Sequence, residues 1–252
     1  MVQLRTSLCS ALLLSTNGFF LNRPLSLCRI ASRSLVMSSS SSGVSGNSSG
    51  DALPQVTHFN YTLASSEVVF SGWRKVLRKN ITFPTGKTHA FDITYQGNPS
   101  VAVFNWCTKT KTTTLIQEYH PGIEAIMYGT VAGIYERGKK HLSALDAAMA
   151  ELEEEAHLRA APHNWIPLLA DADSSCPFEK YSDNRLHAFL ALDCDVVPDP
   201  KPLDAEECIE ITPGVTYRQL RALLASGKMN VPSSYTTLMA LDKLKEMGLP
   251  LE

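Results

Sequence analysis

The sequence predicts an α/β fold in which a mixed β-sheet is covered by helices on both faces and is preceded by an antiparallel strand extension. Short apolar and β-branched runs, separated by turn residues, fill residues 68–116. One long stretch of helical periodicity follows, and further strands and two helices complete the chain. This order of elements, with strands first, then one helix, then further strands and helices, favours a mixed sheet between two helical layers.

The strands predicted before the central helix are bounded by turns such as Pro84-Thr85-Gly86. They are Val68–Phe70, Lys79–Phe83, Ala90–Tyr95, Val101–Trp106 and Thr112–Ile116. After the helix, the predicted elements are strands at Leu186–Val196 and Glu207–Ile211 and helices at Thr216–Ser226 and Ser234–Met247.

The central helix is predicted over Leu142–Leu158, which contains no Gly or Pro. Its apolar residues recur at steps of three and four, as on the buried face of a helix. Ser143 is placed to cap its start, and Pro162 follows its end.

Residues 1–36 are rich in Ser, Leu and Arg and contain no acid, so we predict an organellar targeting leader, with a plastid favoured over a mitochondrion. A secretory signal, a combined leader and a tail without an address are the alternatives. Residues 37–54 are predicted to be a disordered Ser/Gly-rich linker, because such a segment buries too little apolar surface to fold. Met37 offers an internal start that would give a cytosolic form.

The folded domain is expected over residues 55–252. Its predicted parts are N-terminal strands at 65–98, a catalytic core at 99–213 and C-terminal helices at 214–252.

The charge distribution argues against a nucleic-acid-binding protein. Four of the 23 Lys and Arg residues precede Asp51, which leaves 19 against 25 acids in the rest of the chain. A protein that binds nucleic acid needs a basic face to displace counterions. The apolar run in the leader is too short to span a bilayer, so no membrane partner is expected.

A cluster of carboxylates marks the second half of the central helix. Glu151 and Glu155 are four residues apart and stand on one face, and Glu154 joins that face while Glu153 points elsewhere. Stacked like charges disfavour a helix, and a divalent cation would reverse that penalty. Oxygen-rich sites suit Mg²⁺ or Mn²⁺, although a solvated acidic helix face is the alternative. Ala132-Gly133 is expected in a loop before the helix, where a carbonyl could complete the coordination of a metal.

These residues resemble the Nudix box, G-x5-E-x7-R-E-U-x-E-E-x-G-U, in which U is aliphatic. The chain offers Gly133 and then AELEEEAHL at residues 150–158. Its surroundings resemble the ADP-ribose and ADP-sugar pyrophosphatase branch, in LIQEYHPG at 115–122, VAGIYERG at 131–138 and DAEECIEI at 204–211. The resemblance covers residues 65–245 and implies a Nudix-like α/β/α sandwich.

The chain departs from the box at several positions. The spacing from Gly133 to Ala150 is three residues longer than the pattern, so the loop through Lys139-Lys140-His141 carries an insertion. The first Glu is missing, since Lys139 and Leu142 occupy the two positions at which it could stand. Ala150 replaces the Arg, and His157 replaces the final Gly.

The resemblance implies Mg²⁺-dependent hydrolysis of a nucleoside diphosphate linked to another group, with ADP-ribose or an ADP-sugar giving AMP and a sugar phosphate. The Ala132 carbonyl, Glu151 and Glu155 would be metal ligands, and Glu154 a ligand or a catalytic group beside them. Mg²⁺ would neutralise the diphosphate and activate the attacking water. The catalytic base would be Glu206 or Glu207.

Several further residues are predicted to contact the substrate. Trp73, Trp106, Tyr119 and Tyr135 are candidates to stack on a base, with Trp73 preferred because early strands in this branch reach into a partner's site and form a homodimer. Arg74, His120 and Gly133 are the other predicted contacts. For His120 a structural histidine is the favoured interpretation, and a phosphate contact is the alternative.

Three other functions remain open. One is a Nudix-fold protein that binds or senses nucleotide sugars without turnover. Another is a partner-binding domain whose helix is simply acidic. A third is a hydrolase of damaged nucleoside triphosphates, which the long strand-rich segment before the box disfavours.

Overall fold

The computed structural model describes residues 59–203 and 208–252. In the described part, thirteen strands run in chain order: β1 (Thr62–Ser71), β2 (Lys75–Thr82), β3 (Thr88–Tyr95), β4 (Ser100–Trp106), β5 (Thr112–His120), β6 (Ala125–Gly129), β7 (Val131–Ile134), β8 (Leu158–Arg159), β9 (Trp165–Pro167), β10 (Cys176–Pro177), β11 (Arg185–Leu192), β12 (Asp195–Val196) and β13 (Ile209–Thr216). The three α-helices are α1 (Ala144–Ala156), α2 (Tyr217–Ser226) and α3 (Val231–Glu246). The predicted leader at 1–36, the linker at 37–54, Met37 and both candidate bases, Glu206 and Glu207, lie outside the described residues.

A five-stranded mixed sheet forms the centre of the fold. Strand β4 pairs in parallel with β11 and antiparallel with β7, and β9 and β10 pair antiparallel with β11. The β4–β11 pairing runs without a register shift from Ser100 and Leu186 to Trp106 and Leu192. Strand β7 is the outer strand of this sheet, next to β4.

Helices cover both faces of the central sheet, as the sequence predicts. Because side chains alternate along a strand, β4 contributes to two separate cores. Val101 and Val103 pack with α1, and Phe104 and Trp106 pack with α3. All four of these side chains are at most 1% exposed, so β4 is the most deeply buried strand on both sides.

A second sheet, in the order β13-β5-β6, continues the fold beside β4. The side-chain amide of Asn105 accepts a hydrogen bond from the Thr114 main-chain N–H and donates one to the Thr114 carbonyl, which joins β4 to β5. Strand β13 leads into α2, which begins with a capping box between Thr216 and Gln219.

The N-terminal extension is a three-stranded antiparallel sheet in the order β1-β2-β3, as predicted. Its link to the central domain includes Asp183, whose carboxylate accepts hydrogen bonds from the Gln96 and Gly97 main-chain N–H groups. Strand β1 is exposed along its whole length, including its apolar residues Leu63 and Val68.

The structure corrects one feature of the predicted site. Ala132 and Gly133 do not lie in a loop: they are part of β7 and pair with Ala102 and Val101 of β4. This strand has only four residues, too few to show a periodic pattern, and pairing with β4 determines its conformation. In the described residues, no helix is both long and apolar enough to cross a membrane.

Candidate active site

The helix that carries the acidic cluster has a defined start and end. The Ser143 hydroxyl accepts a hydrogen bond from the Asp146 N–H at 3.0 Å, which satisfies one of the unpaired donors of the first turn. The helix ends at His157, which has left-handed backbone angles (φ 56°, ψ 37°) and donates its N–H to the Leu152 carbonyl. Left-handed caps of this kind favour glycine, which is the residue that the Nudix pattern has at the place of His157.

Glu155 is the deepest acid of the cluster, with 4% of its surface exposed. Its Oε2 accepts a hydrogen bond of 2.9 Å from the Ala132 main-chain N–H on the outer strand β7. A strand residue directs its N–H and C=O to the same side, and Ala132 therefore points its carbonyl towards the side on which Glu155 lies. The helix carboxylate and the strand carbonyl thus face one another at the edge of the sheet.

Glu151 lies against Gly133. A Cβ atom built on Gly133 would stand 1.9 Å from Glu151 Oε1 and 2.0 Å from its Cδ, far closer than any real contact. Only glycine leaves room for the carboxylate at this point of β7. The two carboxylates, Glu151 and Glu155, therefore meet successive residues of the same strand.

The remaining two acids of the cluster are engaged elsewhere. Glu154 Oε1 lies 3.2 Å from Lys201 Nζ, and Glu153 Oε2 lies 2.8 Å from Arg159 Nη2. Lys201 precedes the two candidate bases, Glu206 and Glu207, by five and six residues. The Glu154–Lys201 pair therefore joins α1 to the described chain just before residue 204.

The connection between β7 and α1 contains what we name the basic loop, residues 137–141 (RGKKH). The ammonium groups of Lys139 and Lys140 lie 3.8 Å and 3.7 Å from the carboxylate of Glu136. Leu142, the other position at which the first box Glu could stand, is 92% exposed. In the described residues, the two lysines of the basic loop pair only with Glu136, at the long end of ion-pair distances.

The residues at the edge of β7 fit a hard divalent cation. Two carboxylates and a main-chain carbonyl on one side of a strand are the oxygen ligands that Mg²⁺ takes. In the described part of the chain, no three His, Cys, Asp or Glu side chains form a metal-binding group. Glu154 is paired with Lys201, so that only two carboxylates of the cluster, those of Glu151 and Glu155, lie at β7.

The predicted substrate residues lie in different parts of the fold. Trp73 is 85% exposed at the tip of the β1–β2 hairpin, and Arg74 Nη1 donates to Gln96 Oε1 at 3.2 Å. His120 ends β5, where its carbonyl accepts a hydrogen bond from the Ile123 N–H. Trp73 and Arg74 belong to the N-terminal sheet, whereas His120 belongs to the sheet of β5.

Two of the aromatic candidates are excluded as base-stacking groups, because Trp106 is 1% and Tyr135 8% exposed. Both lie on strands or connections whose core-facing side was not evident from the sequence. Tyr119, at 51%, remains accessible.

An aromatic groove of about 350 Å³, which sequence reasoning missed, lies between the N-terminal sheet and the segment before β11. Its rings and ammonium groups belong to Tyr61, Phe83, Phe91, Tyr181, Lys79 and Lys180. The Phe83 and Phe91 rings are nearly parallel at 6.1 Å, and Phe91 stacks similarly on Tyr181 at 6.3 Å. Strand alternation, which places positions 79, 81 and 83 on one face, is the signal that could have revealed it.

His187 is a buried residue of β11. Its ring meets the Tyr135 ring edge to face at 5.9 Å, and only 6% of the residue is exposed. Burial lowers the pKa of His187 below its usual value of 6.5, because the charged imidazolium loses its hydration. The neutral form therefore dominates in the folded protein at neutral pH.

No protein-family model matches the sequence, and no curated protein matches it. Among solved structures, the crystal structure of an ADP compounds hydrolase is similar, with a TM-score of 0.62 and 19% sequence identity. The match covers 75% of this chain and 97% of that chain. At this identity the match establishes the fold, and the predicted Nudix-like α/β/α architecture is confirmed.

Proposed function

We propose that this chain is a Mg²⁺-dependent pyrophosphohydrolase that cleaves the diphosphate of a nucleoside diphosphate linked to another group. ADP-ribose or an ADP-sugar would give AMP and a sugar phosphate. The observation that carries the proposal is the pair of carboxylates on β7, Glu151 against Gly133 and Glu155 on the Ala132 N–H. The similarity to an ADP compounds hydrolase supports the choice of substrate class.

In this proposal, the Ala132 carbonyl, Glu151 and Glu155 hold the metal, with Mn²⁺ as a substitute for Mg²⁺. These groups would hold Mg²⁺, whose charge would offset that of the diphosphate and lower the pKa of the attacking water. Glu154 orients the site beside them, and Glu206 or Glu207 accepts the proton from the water. The burial of Glu155 keeps its carboxylate in one orientation, which favours catalysis through pre-positioned charge.

We further propose that the aromatic groove and Trp73 recognise the base of the substrate. Aromatic rings bind a base by stacking, and the lysines Lys79 and Lys180 suit the adjoining phosphates. Because Trp73 is 85% exposed within one chain, it would complete the site of a second copy in a homodimer, with Arg74 beside it.

The test is release of AMP from ADP-ribose and a panel of ADP-sugars with Mg²⁺, with Mn²⁺ and with a chelator. The substitutions Glu151→Gln and Glu155→Gln should each reduce turnover about 100-fold, whereas Glu153→Gln, the matched control on the Arg159 side, should retain it. Product formation that is independent of metal, or equal turnover in wild type and Glu155→Gln, would disprove the assignment.

The second candidate is a protein that binds nucleotide sugars without hydrolysing them. It is supported by the loss of both the first Glu and the Arg of the box, replaced by Lys139 or Leu142 and by Ala150. Under this function, ADP-ribose raises the melting temperature of the protein while no AMP forms after prolonged incubation with Mg²⁺ or Mn²⁺.

A further inference from the structure

We propose that the basic loop binds an additional phosphate of the substrate, a phosphomonoester separate from the diphosphate that is cleaved. The ligand class is therefore a nucleoside diphosphate derivative that carries one more phosphate. This inference rests on the proposed function, because it assigns a specificity element to the same site.

The charge of the basic loop is the first observation. Arg137, Lys139 and Lys140 bring three cations, and the single carboxylate that contacts the two lysines is Glu136. In the described residues, no ion pair involves Arg137. The loop thus has a local excess of about two positive charges in a chain whose net charge is −2.

The lysines are held loosely enough to exchange partners. Their side chains are 75% and 63% exposed, and their distances to the Glu136 carboxylate are near the limit of an ion pair. Exposed pairs of this kind contribute little to stability, so the ammonium groups can turn to a phosphate at little cost. A phosphate offers three acceptor oxygens to groups that can only donate.

The backbone of the loop, by contrast, is well organised. The Glu136 carbonyl accepts hydrogen bonds from the N–H groups of Lys139, Lys140 and His141, and the Gly138 N–H donates to the His141 carbonyl. The His141 Nδ1 accepts from the Glu136 N–H at 3.3 Å, which leaves Nε2 as the protonated, donating nitrogen. A folded loop presents its donors without the entropic cost of ordering a flexible one.

The loop is connected through both of its ends to the elements that carry the carboxylate pair. It begins four residues after Gly133, which contacts Glu151, and it leads into Ser143 at the start of α1. Glu151 is eight residues beyond Ser143, about 12 Å along a helix that rises 1.5 Å per residue. A substrate whose diphosphate lies at Glu151 can therefore reach the loop with a group one sugar away.

The experiment compares ADP-ribose with two derivatives, one with an added phosphate on the adenosine ribose (2′) and one with it on the distal ribose (1″). Kinetics are measured for the wild type, for Lys139→Gln/Lys140→Gln and for the control Lys243→Gln/Lys245→Gln. The control removes two lysines of α3 that form surface ion pairs with Glu246 and Asp242, so its net charge changes equally. Where a protein shows no turnover, calorimetric dissociation constants replace kcat/KM.

We expect the wild type and the control to favour one phosphorylated derivative over ADP-ribose by about tenfold, and the loop variant to lose that preference. Equal values for all three compounds in the wild type, or a preference that survives in the loop variant, would overturn the inference while AMP release still supports the proposed function. Tighter binding of a phosphorylated derivative without any turnover would reject the proposed function and support the loop site.

Discussion

Lys201 Nζ lies 3.2 Å from Glu154 Oε1, which joins α1 to the stretch of chain that leads to Glu206 and Glu207. If this pair positions the catalytic base, Lys201→Met should lower kcat about threefold, in keeping with a half-exposed ion pair. The Mg²⁺ concentration for half-maximal activity should not change. Lys201→Arg should restore kcat, because it keeps the charge.

The opposite result would assign Lys201 a different role. If the Mg²⁺ concentration for half-maximal activity falls in Lys201→Met while kcat is unchanged, Lys201 competes with the metal for Glu154. Lys243→Met, on the far helix α3, is the control for loss of a surface charge.

Gly133→Ala should damage the site while leaving the fold intact. The added Cβ would overlap Glu151, and the carboxylate must move by an ångström or more to accommodate it. A displacement of this size costs about 100-fold in turnover, and overpacking costs about 1–3 kcal/mol in the free energy of unfolding. The measurements are steady-state kinetics and denaturant unfolding. Gly122→Ala is the control, since a Cβ there meets no atom within 4 Å, and similar losses in both variants would contradict the close contact.

His157→Gly should stabilise the protein by about 0.5–1 kcal/mol. His157 holds a left-handed conformation (φ 56°), which side chains with a Cβ disfavour and glycine adopts freely. Thermal or chemical unfolding measures the gain. The same substitution at His163, in a short 3₁₀ turn without positive φ, should destabilise the protein, and a loss of stability at both positions would contradict the argument.

The burial of His187 should make stability depend on pH. Its folded pKa lies below the usual 6.5, so below about pH 6.5 the unfolded chain binds a proton that the folded chain does not. The contribution of His187 to stability is therefore complete above pH 6.5 and is lost as the pH falls towards its folded pKa. The free energy of unfolding, measured with urea, should fall more between pH 7.5 and pH 5 for wild type than for His187→Gln. The exposed His163→Gln should behave as wild type, and equal decreases in all three proteins would show that His187 does not titrate in this way.

The central helix could be predicted to within two residues at each end because its signals are local. Ser143 caps it, and the apolar residues recur with helical spacing through Ala156. Strand β7 could not be predicted, since four residues between Thr130 and Tyr135 adopt their conformation through pairing with β4. The prediction of a loop was therefore wrong for Ala132 and Gly133, which the structure places on a strand against Glu155 and Glu151.

Among the acids of the site, too, the features set by nearby residues could be predicted and those set by distant residues could not. The spacing of Glu151 and Glu155 places both on one helix face, and the structure brings both to β7. The partner of Glu154 is 47 residues away, and no pattern in the sequence connects it to Lys201. The burial of Trp106 and Tyr135 likewise depends on which side of the chain meets a helix, and the aromatic groove depends on contacts between the N-terminal sheet and the segment before β11.

The hydrogen bond from Ala132 to Glu155 has an evolutionary consequence. Glu155 satisfies a main-chain donor on the open edge of β7, a role that is independent of any reaction. Under the proposed function, selection for folding would therefore preserve this acid in a descendant without hydrolytic activity, while Glu154, which is paired near the surface, would drift. Among relatives of this chain, the joint presence of Gly133, Glu151 and Glu154 should accordingly separate active enzymes from inactive ones better than Glu155 does.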